Sequence, residues 1–127
     1  MSDPNTLKNC IVWADIPVKD LDRAAGFYRD VLALGVHREE SGPTPFCVFQ
    51  HDQGNGGCLV LQPGDVSASG MLTYFNVDGR IREALALVEA KGGHVLQPLH
   101  GIGPHGFRAV ILDSEGNRIA LHSQVDA

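Results

Sequence analysis

The chain has 127 residues, 43% of them apolar, with ten basic and fifteen acidic side chains and a formal net charge of −5. This size and apolar content fit one domain with its own core, and the acidic balance with scattered Lys and Arg excludes a nucleic-acid surface, which needs clustered basic residues. No apolar run reaches the roughly 18 residues that span a bilayer. The three cysteines, Cys10, Cys47 and Cys58, show no Cys-x-x-Cys spacing, and nothing at the start resembles a signal peptide, so a cytoplasmic protein with free thiols is expected.

In chain order, Asn9 to Val18 alternates as a strand, with Cys10, Val12, Ala14 and Ile16 on one face and Ile11, Trp13 and Asp15 on the other. Both faces are mostly apolar, so both are expected to be covered. Asp20 suits the N-cap of a helix whose apolar positions Leu21, Ala24, Ala25, Tyr28, Val31 and Leu32 follow the three-and-four spacing, with Gly35 as its C′ glycine. Val36 to Ser41 and Phe46 to Gln50 read as strands, and Asp52-Gln53-Gly54-Asn55 as the turn of a hairpin that returns along Gly57 to Leu61.

A polar linker covers residues 64–70, and then the order restarts. Met71 to Val77 is a strand, Asp78 the expected cap of a helix with Ile81, Ala84, Leu85 and Val88 as its buried stripe, and Gly92-Gly93 its end. His94 to Gln97 forms another strand. The Gly-rich stretch from Pro98 to Gly106, carrying His100 and His105, reads either as a mobile loop over the cleft or as a simple hairpin connection. The closing hairpin runs from Ala109 to Ser123 around Asp113-Ser114-Glu115-Gly116-Asn117, where Gly and Asn are expected to supply positive φ. An offset of 59 residues superposes Val18 on Val77, and one of 62 superposes the two hairpins. The chain is therefore a duplicated module: about 9–63, then about 71–124, forming a single α+β domain of tandem βαβββ units.

The segment from Trp13 to Ala24 with Phe27-Tyr28, the strand Tyr74-Phe75-Asn76-Val77-Asp78, and the run from Leu112 to His122 together resemble the vicinal oxygen chelate superfamily of glyoxalase I, bleomycin resistance proteins and extradiol dioxygenases. Within it, the chain looks most like the branch of predicted enzymes related to lactoylglutathione lyase. The resemblance implies a curved mixed sheet around a cleft, and a divalent metal held by one residue from the first and last strands of each module. Those positions fall on Trp13, Leu72, Ala120 and either Cys58 or Val60. Glyoxalase I places His, Gln or Glu there; Trp, Leu and Ala cannot coordinate a metal, and one thiol does not meet the three protein ligands of a catalytic zinc site. No cofactor is expected at the family positions.

Other side chains remain candidates for chemistry. His122 projects from the same face as Ala120, as a general base, a ligand hydrogen-bond partner, or a histidine satisfied by backbone. Asp15 shares a face with Trp13 and is either a partner of His122 or of substrate, or a strand-end carboxylate meeting solvent or an adjacent Lys. Trp13 and Tyr74 would floor a cleft for a flat or apolar molecule, although core packing explains Trp13 equally well. Gln62, in register with Cys58, is a polar candidate at the rim. Cys58 is either a nucleophile or a small buried thiol. A metal held by His100, His105 and His122 is conceivable but matches no known ligand spacing. His37, His51 and His94 read as surface residues, and Glu39-Glu40 as a solvated strand end.

Three functions follow: a metal-independent protein binding a small organic molecule in an aromatic cleft; a lyase or isomerase of the glyoxalase type using His122 or displaced metal ligands; or a non-catalytic module that dimerises through its cleft face. A homodimer is expected in each case, and neither a nucleic acid nor a membrane is expected as a partner.

Overall fold

A computed structural model describes residues 10–40, 42–52 and 54–127; the predicted strand start at Asn9, the strand end at Ser41 and turn residue Gln53 lie outside the described residues. Among the described residues, the chain forms β1 (Trp13–Val18), α1 (Leu21–Leu32), β2 (Val36–Glu39), β3 (Phe46–Phe49) and β4 (Gly56–Leu61), and then β5 (Thr73–Asn76), α2 (Ile81–Ala90), β6 (His94–Gly101), β7 (Phe107–Leu112) and β8 (Arg118–Ser123). Two four-stranded mixed sheets result, ordered β1-β4-β3-β2 and β5-β8-β7-β6. In each, the first strand of the module pairs parallel with the last and the remaining pairs are antiparallel. This is the α+β arrangement of two βαβββ modules that the internal repeat predicted. No helix among the described residues is long and apolar enough to cross a membrane.

One face of each sheet is buried under the helices. Ile16, Val18, Leu59, Ile111, Ile119 and Leu121 meet Tyr28, Val31, Ala84 and Val88 in a core that both modules share. The Tyr28 ring stands 5.4 Å from both Phe49 and Phe75, which are themselves 5.8 Å apart, so aromatic packing ties one module to the other. Burying each such side chain stabilises the fold by roughly 1.5–3 kcal/mol. The opposite faces, carrying residues 13 and 15 or 118, 120 and 122, are left to form a site.

The closing hairpin does more than reverse the chain. Asp113 is buried and accepts hydrogen bonds from the amides of Glu115, Gly116 and Asn117 and from the Tyr28 hydroxyl. Glu115 accepts from the amides of Lys19 and Asp20 and from Arg23, and Asn117 Nδ2 donates to the Pro17 carbonyl. A turn of module two thus grips the start of α1 in module one.

Several local expectations are corrected. The first strand begins at Trp13: among the described residues Cys10, Ile11 and Val12 pair with no strand and are exposed, the Ile11 carbonyl being met instead by the Asn55 side chain, and Asp15 on the strand itself is also exposed rather than covered. Asp20 caps α1 as expected, accepting from Arg23 N at 3.0 Å, but Ala33 rather than Gly35 holds the left-handed position at its C-terminus. Asp78 does not cap α2: its carboxylate is taken by Gln124 N at 2.6 Å and Ser123 Oγ at 3.3 Å, and the first helical amide, Ile81 N, is satisfied by the Ala127 carbonyl at 2.8 Å. In the closing turn Gly116 alone takes positive φ, while Asn117 acts through its side chain. The strand expected over His94–Gln97 runs on to Gly101 through two register shifts, so His100 lies in a strand and not in a loop.

Candidate functional site

Strand alternation dictates which side chains can line a site. On β1, Ile16 and Val18 enter the core, so Trp13 and Asp15 face the other way; on β5, Phe75 turns inward and Tyr74 outward. These outward residues meet at a groove of about 640 Å³ between the modules, walled by Trp13, Asp15 and Pro17 on one side and by Leu72, Thr73 and Tyr74 on the other, with Arg118 at its edge. A volume in the ~300–1,000 Å³ range suits a small organic ligand.

Trp13 is held in place on two sides. Its Nε1–H donates to Cys58 Sγ at 3.5 Å, and its ring meets His51 edge-on with centroids 5.1 Å apart. His51, read from sequence as a surface residue, is half-buried there, and its buried Nδ1 has no hydrogen-bond partner among the described residues. Cys58 in turn donates to Asp15 Oδ1 at 3.1 Å, consistent with their pairing across β1 and β4. Burial pushes the Cys58 thiol up to about 11; Asp15 adds to the rise, and the Trp13 N–H opposes it. A thiol held in this way is protonated at neutral pH, which favours the buried-thiol reading of Cys58 over the nucleophile.

A second groove of about 440 Å³ lies along the other side of Tyr74, lined also by Asn76, Ile102, His105 and His122. Here His122 Nε2 stands 2.7 Å from the His105 carbonyl. A carbonyl only accepts, so Nε2 carries a proton, and in the neutral ring the lone pair is on Nδ1. The segment that holds His105 is closed on itself, with Ile102 N donating to the Gly106 carbonyl at 2.9 Å.

The predicted site residues thus divide. Trp13, Asp15, Leu72 and Tyr74 share one groove; Tyr74, His105 and His122 share the other; and Cys58 lies behind Trp13. Ala120 is fully buried between Tyr74 and Val110. Gln62 follows the last residue of β4 and precedes the short 3-10 turn Pro63–Asp65; its amide still donates to the Val18 carbonyl at 3.1 Å, and the residue is exposed and lines neither groove. Asp15 is engaged with Cys58, not with His122. His100, His105 and His122 do not converge: His100 binds the Pro98 carbonyl and Arg108. Glu39 and Glu40 stand at the solvated end of β2, as expected, in exposed pairs with His37 and Arg38.

Arg108 escaped the sequence reading. It pairs with His122 across the closing hairpin and with His100 on β6, and it donates to the Tyr74 hydroxyl at 2.6 Å. Counting outward from the hairpin turn places residues 108 and 122 opposite one another, a signal present in the sequence once the turn is known.

Two βαβββ modules closing on a shared groove, with first and last strands of each module side by side, define a paired-module cleft protein. The chain belongs to the Glyoxalase/Bleomycin resistance protein/Dioxygenase superfamily, whose family model matches residues 10–121. A glyoxylase-like domain-containing protein of Didymella fabae is 29% identical over 114 residues, covering 84% of this chain and 88% of that one. A glyoxalase/bleomycin resistance protein from Albidiferax ferrireducens T118 superposes with a TM-score of 0.71 at 17% identity, covering 91% of this chain and 98% of that one. The fosfomycin resistance protein FosX from Listeria monocytogenes gives 0.69 at 15%, covering 92% and 94%. At these identities the two structures share the fold.

A divalent metal at the positions implied by the resemblance does not fit the side chains present. Trp13 offers only an N–H donor, Leu72, Val60 and Ala120 offer no ligating atom, and the Cys58 thiol is protonated and already bonded to Asp15. Among the described residues no three His, Cys, Asp or Glu side chains gather as a ligand set.

Proposed function

We propose that the protein binds a small organic molecule in the inter-module groove, without the metal that relatives of this fold can hold. The observation that carries this reading is the single groove shared by Trp13 and Tyr74, one aromatic side chain from each module, in which Trp13 and Leu72 stand where the resemblance would put metal donors. Two aromatic faces favour a flat or apolar body, and the polar Asp15 beside them favours a ligand with a matching donor. Elemental analysis of freshly purified protein is the test: the reading expects no stoichiometric transition metal, and a full equivalent of Zn, Ni, Mn or Fe would overturn it. Trp13 is the chain's one tryptophan, so its fluorescence reports ligand entry directly.

A lyase or isomerase of the glyoxalase type is favoured by one separate observation. With Nε2 tied to the His105 carbonyl, His122 presents the Nδ1 lone pair as a base beside the second groove. That reading requires His122→Ala to abolish turnover of a carbonyl or glutathione-adduct substrate while the circular dichroism spectrum is unchanged.

The protein is further proposed to be a cytoplasmic homodimer. Unpaired thiols at Cys10, Cys47 and Cys58 support a reducing compartment, and Met71 and Tyr74, exposed to 92% and 48% at the groove, support self-association there. Light scattering that returns a monomer would remove the dimer.

A further inference from the structure

The second sheet carries a polar row across its outward face. Register sets Asn76, His122, Arg108 and His100 opposite one another on β5, β8, β7 and β6. Ile111, Ile119 and Leu121 of the same strands enter the core, so this row stands on the face turned away from the helices.

Arg108 lies within the row and is tightly positioned. Its Nε and Nη2 stand 3.2 and 3.1 Å from His100 Nε2, and its Nη1 donates to the Tyr74 hydroxyl at 2.6 Å. His100 can accept because its Nδ1 lies 2.8 Å from the Pro98 carbonyl and so carries the proton. Both partners are uncharged in this arrangement, and each terminal nitrogen of the guanidinium keeps one N–H uncommitted.

What Arg108 lacks is a counter-charge. Arg23, Arg38, Arg80, Arg82 and Lys91 each have a carboxylate within 3.3 Å. Among the described residues Arg108 has none, although the chain carries fifteen acidic side chains to ten basic ones. Arg118, on the same face of β8, is likewise without a carboxylate among the described residues; it donates to the Gly70 carbonyl at 2.9 Å, while its buried Nε finds no partner among them. Two arginines flanking Ala120 and His122 thus leave positive charge uncompensated on a sheet face of an acidic protein.

A guanidinium fixed by neutral partners and missing its anion is pre-set to receive one, since the fork matches two oxygens of a carboxylate or phosphoryl group. Arg108 itself lines neither cavity; Tyr74 lines both and accepts from Arg108 through its hydroxyl, so the guanidinium stands next to the wall that the two grooves share. We infer that Arg108 reads an oxyanion on the ligand, a carboxylate or a phosphonate, while the ligand's apolar body lies against Tyr74 and Trp13. This rests on the proposed ligand-binding groove and narrows its substrate class to small organic acids.

Titration of the purified protein with benzoate, phenylphosphonate and uncharged benzamide, read by Trp13 fluorescence and by the Arg108 Nε–H resonance, tests it. Either anion should bind about tenfold or more tightly than benzamide at low salt, the weight of one charge-assisted hydrogen bond, and added salt should narrow the gap. The tighter of the two anions distinguishes a planar from a tetrahedral group; equal binding supports oxyanion recognition in general. Arg108→Gln should erase the difference between anions and benzamide, and Arg108→Lys should keep part of it, which separates lost charge from lost folding. Benzamide binding as tightly as both anions, or an anion preference that survives Arg108→Gln, would overturn the inference and leave the groove reading standing. If none of the three probes perturbs Trp13, the groove reading falls and the inference with it.

Discussion

Glu115, at the tip of the β7–β8 turn, accepts the Arg23 Nε–H at 2.7 Å across 92 residues of chain, from a helix of the other module. Burial alone would raise the Glu115 carboxyl, but hydrogen bonds from Arg23 and Ser114 and from the amides of Lys19 and Asp20 outweigh it and hold it at about 2, below the ordinary 4.5. A carboxylate whose folded value is depressed stabilises the fold fully above about pH 4.5 and loses that contribution as pH falls through about 2. Glu115→Gln should therefore flatten the acid limb of the stability curve, as measured by urea midpoints at stepped pH. At neutral pH it should cost roughly 1–3 kcal/mol, toward the lower end because the Arg23 side chain is half exposed and screened. An acid limb as steep in the variant as in the parent would refute the latch.

Tyr28→Phe probes the same junction from the core. The hydroxyl donates to Asp113 Oδ2 at 2.6 Å, and both groups are buried. Burial, reinforced by the neighbouring Asp113, pushes the Tyr28 phenol well above 10, so ultraviolet titration should show it silent until the fold is lost. Removing the hydroxyl leaves the buried carboxylate one donor short, an expected loss of roughly 1–3 kcal/mol in chemical denaturation. A neutral substitution would mean that the turn amides alone satisfy Asp113.

Much of this architecture was legible because its periods are local. The two-residue alternation places Trp13 with Asp15 and Ala120 with His122 before any coordinates exist, and Asp20 announces its helix through its own side chain. Features set by distant partners were not. Asp78 has the chemistry of a cap, yet Ser123 and Gln124 reach it first. His51 looks like any exposed histidine until Trp13 covers it, and Arg108 gains meaning only when three strands are in register. The extra pleats of β6 were hidden because register shifts break the alternation there.

Thiol chemistry should discriminate among the cysteines. Burial holds the Cys58 thiol at about 11 and also raises Cys47, whereas Cys10 is exposed. With iodoacetamide at neutral pH, peptide mapping should find Cys10 alkylated first and Cys58 on the order of a hundredfold or more slower, because the thiolate is the reacting form. Raising the pH toward 11 should accelerate Cys58, and Cys47 with it, relative to Cys10. Comparable early labelling of Cys58 would instead mark it as an activated nucleophile and revive that role.

The position of His122 depends on a residue with no side chain. Gly106 adopts φ +93, and a Cβ there would stand 2.6 Å from the Ser123 carbonyl and 3.3 Å from His122 Nε2. Alanine at this position meets both a backbone conformation that L-residues avoid and a carbonyl that cannot yield, a combined strain of about 1–3 kcal/mol. Relief requires the 102–106 segment to move, which withdraws the His105 carbonyl from His122 Nε2 and frees the ring to rotate. Gly106→Ala should therefore lower the urea midpoint and shift the His122 imidazole nitrogen resonances. Gly101→Ala is the matched control, since its added Cβ would find only the Phe107 ring at 3.8 Å, an ordinary contact. If the two variants give the same His122 resonances, the ring is oriented by its strand neighbours, and the 102–106 segment has no part in presenting Nδ1 to the groove.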